Sequence, residues 1–197
     1  EFEYSGHVAG QGQVIGDLGA THFMRGQLDS ALVYLRQARQ LHLQAGDGRG
    51  QARDADRIGT VSLMQGAADS AFSAYRAAER FYRDTADRRA LAGTLGNLGN
   101  AHFEQGQLDE ALLAYEEGLA LYRQGADASA EAALLERIAR IHRQQGRLRE
   151  AGDGYRAALE IHRRRRDGHR QADAFSALGH IFQEQARLDS ALAAFQA

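Results

Sequence analysis

The chain has no cysteine, no proline and no tryptophan, and all 24 of its basic residues are arginine. The missing cysteine excludes disulfides, thiolate metal sites and cysteine nucleophiles, and makes a reducing cytoplasm the expected setting. No apolar run approaches the ~20 residues needed to cross a bilayer. The N-terminus also lacks the basic-then-apolar order of a secretory signal, so no membrane association is expected. What is present is a chain of 197 residues, 44% apolar, enough to build a core in one large or two small domains. Its arginine- and alanine-rich, lysine-free composition points to a GC-rich bacterial genome.

The formal net charge is -2, but the charge is unevenly spread. Residues 1–136 hold 12 arginines against 19 acids, whereas residues 137–170 hold 11 arginines against 4. This local basic zone includes "IHRRRRDGHR", residues 161–170, and it needs a place in the fold before it can be given a function.

The place comes from an internal repeat. Rows of 40 residues starting at Gln11, Gln51, Leu91, Glu131 and Gln171 fall into register without insertion or deletion. Gly19, Gly59, Gly99, Ala139 and Gly179 share a column; so do Ala31, Ala71, Ala111, Ala151 and Ala191. Four residues after each of these alanines comes Leu35, Tyr75, Tyr115, Tyr155 or Phe195. Gly26, Gly66, Gly106 and Gly146 form a further column that is broken only by Ala186, and Asp47, Asp87, Asp127 and Asp167 form another.

Apolar spacing within each row is helical throughout, and no segment sustains a period of two, so the expected class is all-α. The Gly26 column reads as the stop of a first helix. Asp29, Asp69, Asp109 and Asp189 then suit the positive end of a second. The Asp47 column reads as the N-cap of the next row's first helix. In this register Arg163–Arg166 close a second helix, where arginine favours the negative end of the helix dipole.

Leu95, Leu98, Gly99, His102, Ala111 and Tyr115 spell "LxxLGxxH…AxxxY", which resembles the tetratricopeptide repeat in its 40-residue variety, as in spindle-orientation adaptors and many bacterial regulators. The chain departs from the family signature in lacking its Trp and Pro. The resemblance implies a right-handed α-α superhelix of antiparallel helix pairs, a single repeat domain over 1–197. Its rows would be 11–50, 51–90, 91–130, 131–170 and a partial 171–197. Residues 1–10 align with the tail of a preceding repeat, which suggests a piece of a longer protein whose open ends could self-associate.

No catalytic constellation stands out, and neither a metal nor a cofactor is expected. His22, His102 and His142 share a column where the family has tyrosine and read as packing residues; no HExxH spacing occurs. "GQGQVIG", from Gly10, lacks the strand before and the Lys-Ser/Thr after that a phosphate loop requires. "GDGRGQARDAD" misses the EF-hand pattern. Glu116 and Glu117 point ~100° apart on one helix.

The resemblance implies instead a non-enzymatic protein–protein interaction scaffold whose first helices line a concave groove. The groove positions are two before and one after the signature glycine. The first set is Asp17, Arg57, Asn97, Arg137 and Ala177; the second is Ala20, Thr60, Asn100, Arg140 and His180. Asn97 and Asn100 match the amide pattern with which relatives hold an extended backbone. Arg57, Arg137 and Arg140 add guanidinium forks suited to carboxylates, so an acidic peptide is the expected partner. The lysine-based clamp of chaperone-binding relatives is missing. Two other functions stand beside this one: nucleic-acid binding through residues 137–170, and a regulatory domain that senses small peptides.

Overall fold

Each of the first four rows folds as two helices because it carries two stop signals twenty residues apart. The computed structural model describes the backbone of residues 2–196 and the side chains of residues 6–186. Among the described residues there are nine α-helices and no strand: α1 (Phe2–Met24), α2 (Leu28–Gln44), α3 (Gly48–Met64), α4 (Ala68–Asp84), α5 (Arg88–Glu104), α6 (Leu108–Gln124), α7 (Ala128–Gln144), α8 (Leu148–Arg165) and α9 (Gly168–Gln196).

The first stop is the glycine column. Gly26, Gly66, Gly106 and Gly146 have φ of +71°, +76°, +74° and +74°, the left-handed conformation that costs glycine least. Each is followed by an N–H that reaches back five residues, as Gln27 N to His22 O at 3.0 Å and Arg147 N to His142 O at 2.8 Å. That bond satisfies a carbonyl the helix would otherwise leave orphaned. At the second stop Gly46, Ala86, Ala126 and Arg166 take the same conformation. Here the next residue is always aspartate, whose carboxylate accepts from the backbone N–H three residues on: Asp47 from Gly50, Asp87 from Ala90, Asp127 from Ala130 and Asp167 from Arg170. The cap offsets the ~1–2 kcal/mol that a left-handed non-glycine residue costs.

Two places in the register do not turn. α1 passes through Gly6 and His7 as unbroken helix, although they align with Gly46 and Asp47. α9 likewise runs through Ala186 for 29 residues, where the other four rows place their terminating glycine. In both, part of the stop signal is missing: His7 is no N-cap, and Ala186, a helix former, replaces the glycine.

The contacts divide the chain into two compact units, Glu1–Ala111 and Leu112–Ala197. In the first unit α1 pairs with α2 and α3 with α4, while α2 packs on α3 and α4 on α5. Small residues let the paired helices close: a Cβ on Gly19 would lie 2.8 Å from the Leu35 side chain, and one on Gly59 would lie 2.6 Å from the Tyr75 ring. In the second unit α7 pairs with α8, and α8 packs on α9 through Leu159, Leu178 and Ile181.

Candidate functional site

The positions expected to line a groove lie on the first helix of each row. In the first unit they are tied to one another across neighbouring helices. Asp17 on α1 accepts from Gln13 at 2.8 Å and from Arg57 on α3 at 3.4 Å, and these contacts, Gln13 first, hold its carboxyl below the ordinary range. Thr60 accepts from the Tyr75 hydroxyl at 3.1 Å and donates to the Asp56 carbonyl. Asn97 on α5 donates to the Asp56 carboxylate at 3.0 Å, and Asn100 is half-buried one turn further along the same face.

Asp56 itself was not among the expected groove residues. Its second carboxylate oxygen is buried with no hydrogen-bond partner. Burial pushes its carboxyl up; hydrogen bonds from Asn97 and Thr94 and the charge of Arg57 pull it back. A carboxyl raised on folding contributes stability that is present below its unfolded value of 3.8 and lost as pH rises through its folded value. Asp56→Asn is therefore expected to raise stability at neutral pH and to flatten its fall with rising pH. Urea unfolding at several pH values checks both.

In the second unit Arg137 lies 5.9 Å over the Tyr115 ring, and Arg140, one turn on, is exposed. Both line an open cleft of about 280 Å³ together with Glu136, Tyr155, Arg170 and Asp173. Glu136 is already engaged, by His162 Nε2 at 2.9 Å and by Arg170 at 3.6 Å. Asp173 lies 3.3 Å from His169. The Tyr155 phenol is raised by burial, with Arg143 and Arg140 acting in the opposite sense. It remains a neutral O–H group at physiological pH. His180 is exposed on α9 and does not line this cleft.

The arginine run of residues 163–166 closes α8 as the register requires. Arg166 is the left-handed C-cap, Arg163 donates to Glu160 at 2.6 Å and lies 5.4 Å over Phe175, and Arg164 donates to the Glu160 carbonyl. His22, His102 and His142 are half-buried. The His22 ring stacks on Tyr34 at 4.9 Å and the His102 ring lies 4.6 Å from Phe72, while burial lowers the His142 imidazole. Among the described residues no cluster of three or more His, Asp or Glu could hold a metal ion, and no helix is long and apolar enough to cross a membrane.

Sequence reasoning missed a buried pair. His42 at the end of α2 is 1% exposed, and its Nδ1 lies 2.7 Å from the carboxylate of Asp54 on α3, which is 0% exposed. Room for it comes from glycine: a Cβ on Gly12 would lie 2.8 Å from the imidazole, and one on Gly50 2.5 Å. One signal was visible. Asp54 stands in the column of Val14, Thr94, Leu134 and Ala174, where a charge has no reason to be unless it is paired.

Helix pairs of constant length, turned by left-handed residues and closed by the Gly19 and Ala31 columns, can now be compared with known proteins. The MalT-like TPR region model matches residues 56–197, and a tetratricopeptide-repeat model matches residues 13–45. The chain belongs to the MalT-like tetratricopeptide-repeat family. No curated protein matches its sequence significantly. Among solved structures, the MalT-like chain is similar to BtubC (BKLC) from P. vanneervenii, with TM-score 0.72 and 16% identity over 80% of this chain and 65% of that one. It is similar to the apo form of RapI, with TM-score 0.81 and 15% identity over 94% and 68%. It is also similar to the nearly identical TPR-like repeats of a putative kinesin light chain from Podosopora anserina, with TM-score 0.77 and 14% identity over 95% and 93%. The MalT-like chain thus spans about two thirds of the first two proteins. At such identities the likeness is one of fold, an all-α helical-repeat solenoid of the kind that typically serves as a protein-interaction scaffold.

Proposed function

We propose that the protein is a non-enzymatic interaction module that binds an acidic segment of a partner protein along the first-helix faces of its repeats. The observation that carries this reading is the cleft between α7, α8 and α9, where Arg137, Arg140 and Arg170 converge on one open volume. The lining carries three arginines against two carboxylates, Glu136 and Asp173, and Glu136 faces His162 as well as Arg170. Guanidinium forks donate two parallel hydrogen bonds to a carboxylate. The stacking of Arg137 over Tyr115 restrains its side chain before a partner arrives and lowers the entropy cost of binding. In the first unit Asn97 and Asn100 offer amides to a peptide main chain, next to Arg57 and Thr60.

The test is fluorescence polarisation with labelled Asp/Glu-rich peptides and their Asn/Gln counterparts. Saturable binding of the acidic set, weakened about tenfold or more by Arg137→Glu, is the expected result. Undiminished binding by that variant would sink the groove reading. A parallel salt series with random duplex and single-stranded RNA covers the other partner class, for which micromolar affinity falling steeply with salt is the signature.

A further inference from the structure

Independently of the groove, the first unit holds a second pocket, of about 690 Å³, between α4, the end of α5 and the start of α6. None of the expected groove positions lines it. Asp69, Phe72, Ser73, Arg76 and Arg80 follow one another at helical spacing and form a single stripe along α4. His102, Gln107 and Glu110 complete the lining.

The charges of this pocket are left without partners. Arg76 and Arg80 stand one turn apart, and neither makes an ion pair or hydrogen bond among the described residues. The register does not demand them: their columns hold Arg36, Glu116 and Arg156, and Gln40, Ala120 and Glu160, so of these four rows the second alone has arginine at both. In the fourth row Arg156 is taken up by Asp153 on its own helix at 2.6 Å, whereas in the second row Ser73 holds the place of that aspartate. The other end of the stripe is acidic. Asp29, in the column of Asp69, accepts from Gln65 at 2.7 Å, but Asp69 and Glu110 have no such partner. The lining also carries two rings, Phe72 and His102, with centroids 4.6 Å apart, and His102 Nδ1 donates to Gln107 Oε1 at 2.7 Å.

We propose that this pocket binds a short peptide with free ends, its terminal carboxylate on Arg76 and Arg80 and its terminal ammonium on Asp69 and Glu110. Two guanidiniums and two carboxylates make the lining neutral in sum but polarised from end to end. A ligand with opposite charges at its two ends matches that field, and a polyanion does not. The length follows from the helix: the rise from Asp69 to Arg76 is roughly 10 Å, the span of an extended tripeptide at ~3.3–3.6 Å per residue. The guanidinium forks suit the carboxylate with parallel hydrogen bonds, and the Phe72 and His102 rings offer apolar surface to the middle side chain. An internal segment of a longer chain lacks both terminal charges, so the pocket discriminates against it.

Isothermal titration of the full chain with the tripeptide Ala-Phe-Ala tests this. Saturable binding with a Kd below ~1 mM is expected, and the same peptide acetylated and amidated at its ends should bind at least ~tenfold more weakly. Arg76→Gln with Arg80→Gln removes one pole and Asp69→Asn with Glu110→Gln the other. Each pair should weaken binding at least ~tenfold while helical content by circular dichroism stays unchanged, because all four side chains are exposed. Arg137→Glu, in the cleft of the second unit, should leave this binding as it is, which separates the pocket from the groove. Absence of saturation, equal affinity for the capped peptide, undiminished binding by either double variant, or loss of binding in Arg137→Glu overturns the proposal.

Discussion

Asp54→Ala is expected to cost about 3–5 kcal/mol of folding stability, because it leaves the imidazole of His42 buried without the carboxylate that orders it. The geometry makes the loss large. His42 closes α2 and Asp54 stands on α3, so their 2.7 Å contact joins the first repeat to the second, and neither side chain reaches water. Gly12 and Gly50 lie against the imidazole without side chains of their own, and the next carboxylate, Asp47, lies 3.8 Å from its other nitrogen, beyond hydrogen-bond reach. His42→Leu with Asp54→Val should recover most of the loss, since a buried pair replaced as a whole by apolar groups is often neutral in stability. Denaturant unfolding of the single and double variants measures both effects. Equal destabilisation by the double variant and by Asp54→Ala would show that the pair is not where the energy lies.

Tyr75→Ala should cost a similar ~3–5 kcal/mol. Tyr75 is 1% exposed, its ring lies against Gly59, and its hydroxyl donates to Thr60. Truncation leaves a ring-sized void between α3 and α4 and removes the hydrogen bond to Thr60. Gly59→Ala attacks the same contact from the other side: its Cβ would sit 2.6 Å from the ring, and overpacking of this kind costs about 1–3 kcal/mol. Thermal unfolding of the two variants ranks them. A mild Tyr75→Ala would mean that α3 and α4 are held chiefly by the Ala71 column.

The fold was legible because its determinants are local and repeated. A glycine that must turn, an aspartate that must cap and an alanine that must let a helix approach recur at fixed spacing, so chance matches cancel and the period stands out. The groove positions follow from the same register, since residues three apart on one helix share a face whatever the rest of the chain does. The opening of α9 was half legible. Ala186 is visible as the exception in its column, where glycine alone makes the turn, because Gln27, Ala67 and Arg147 follow it without capping through their side chains. At the second stop, by contrast, Ala86, Ala126 and Arg166 turn without glycine because a capping aspartate follows each.

Taken by itself, then, the sequence determined the helical class, the 40-residue pairing of first and second helices, their stops, and the reading of Arg163–Arg166 as a helix terminus. Which polar groups meet was decided by tertiary structure. Asp54 finds His42, Asp56 finds Asn97, and Glu136 is shared by His162 and Arg170. These contacts bridge different helices, and their partners are set by how the helix faces pack. A one-dimensional register orders residues along each helix, but a hydrogen bond between helices depends on a separation of a few ångströms that only packing fixes.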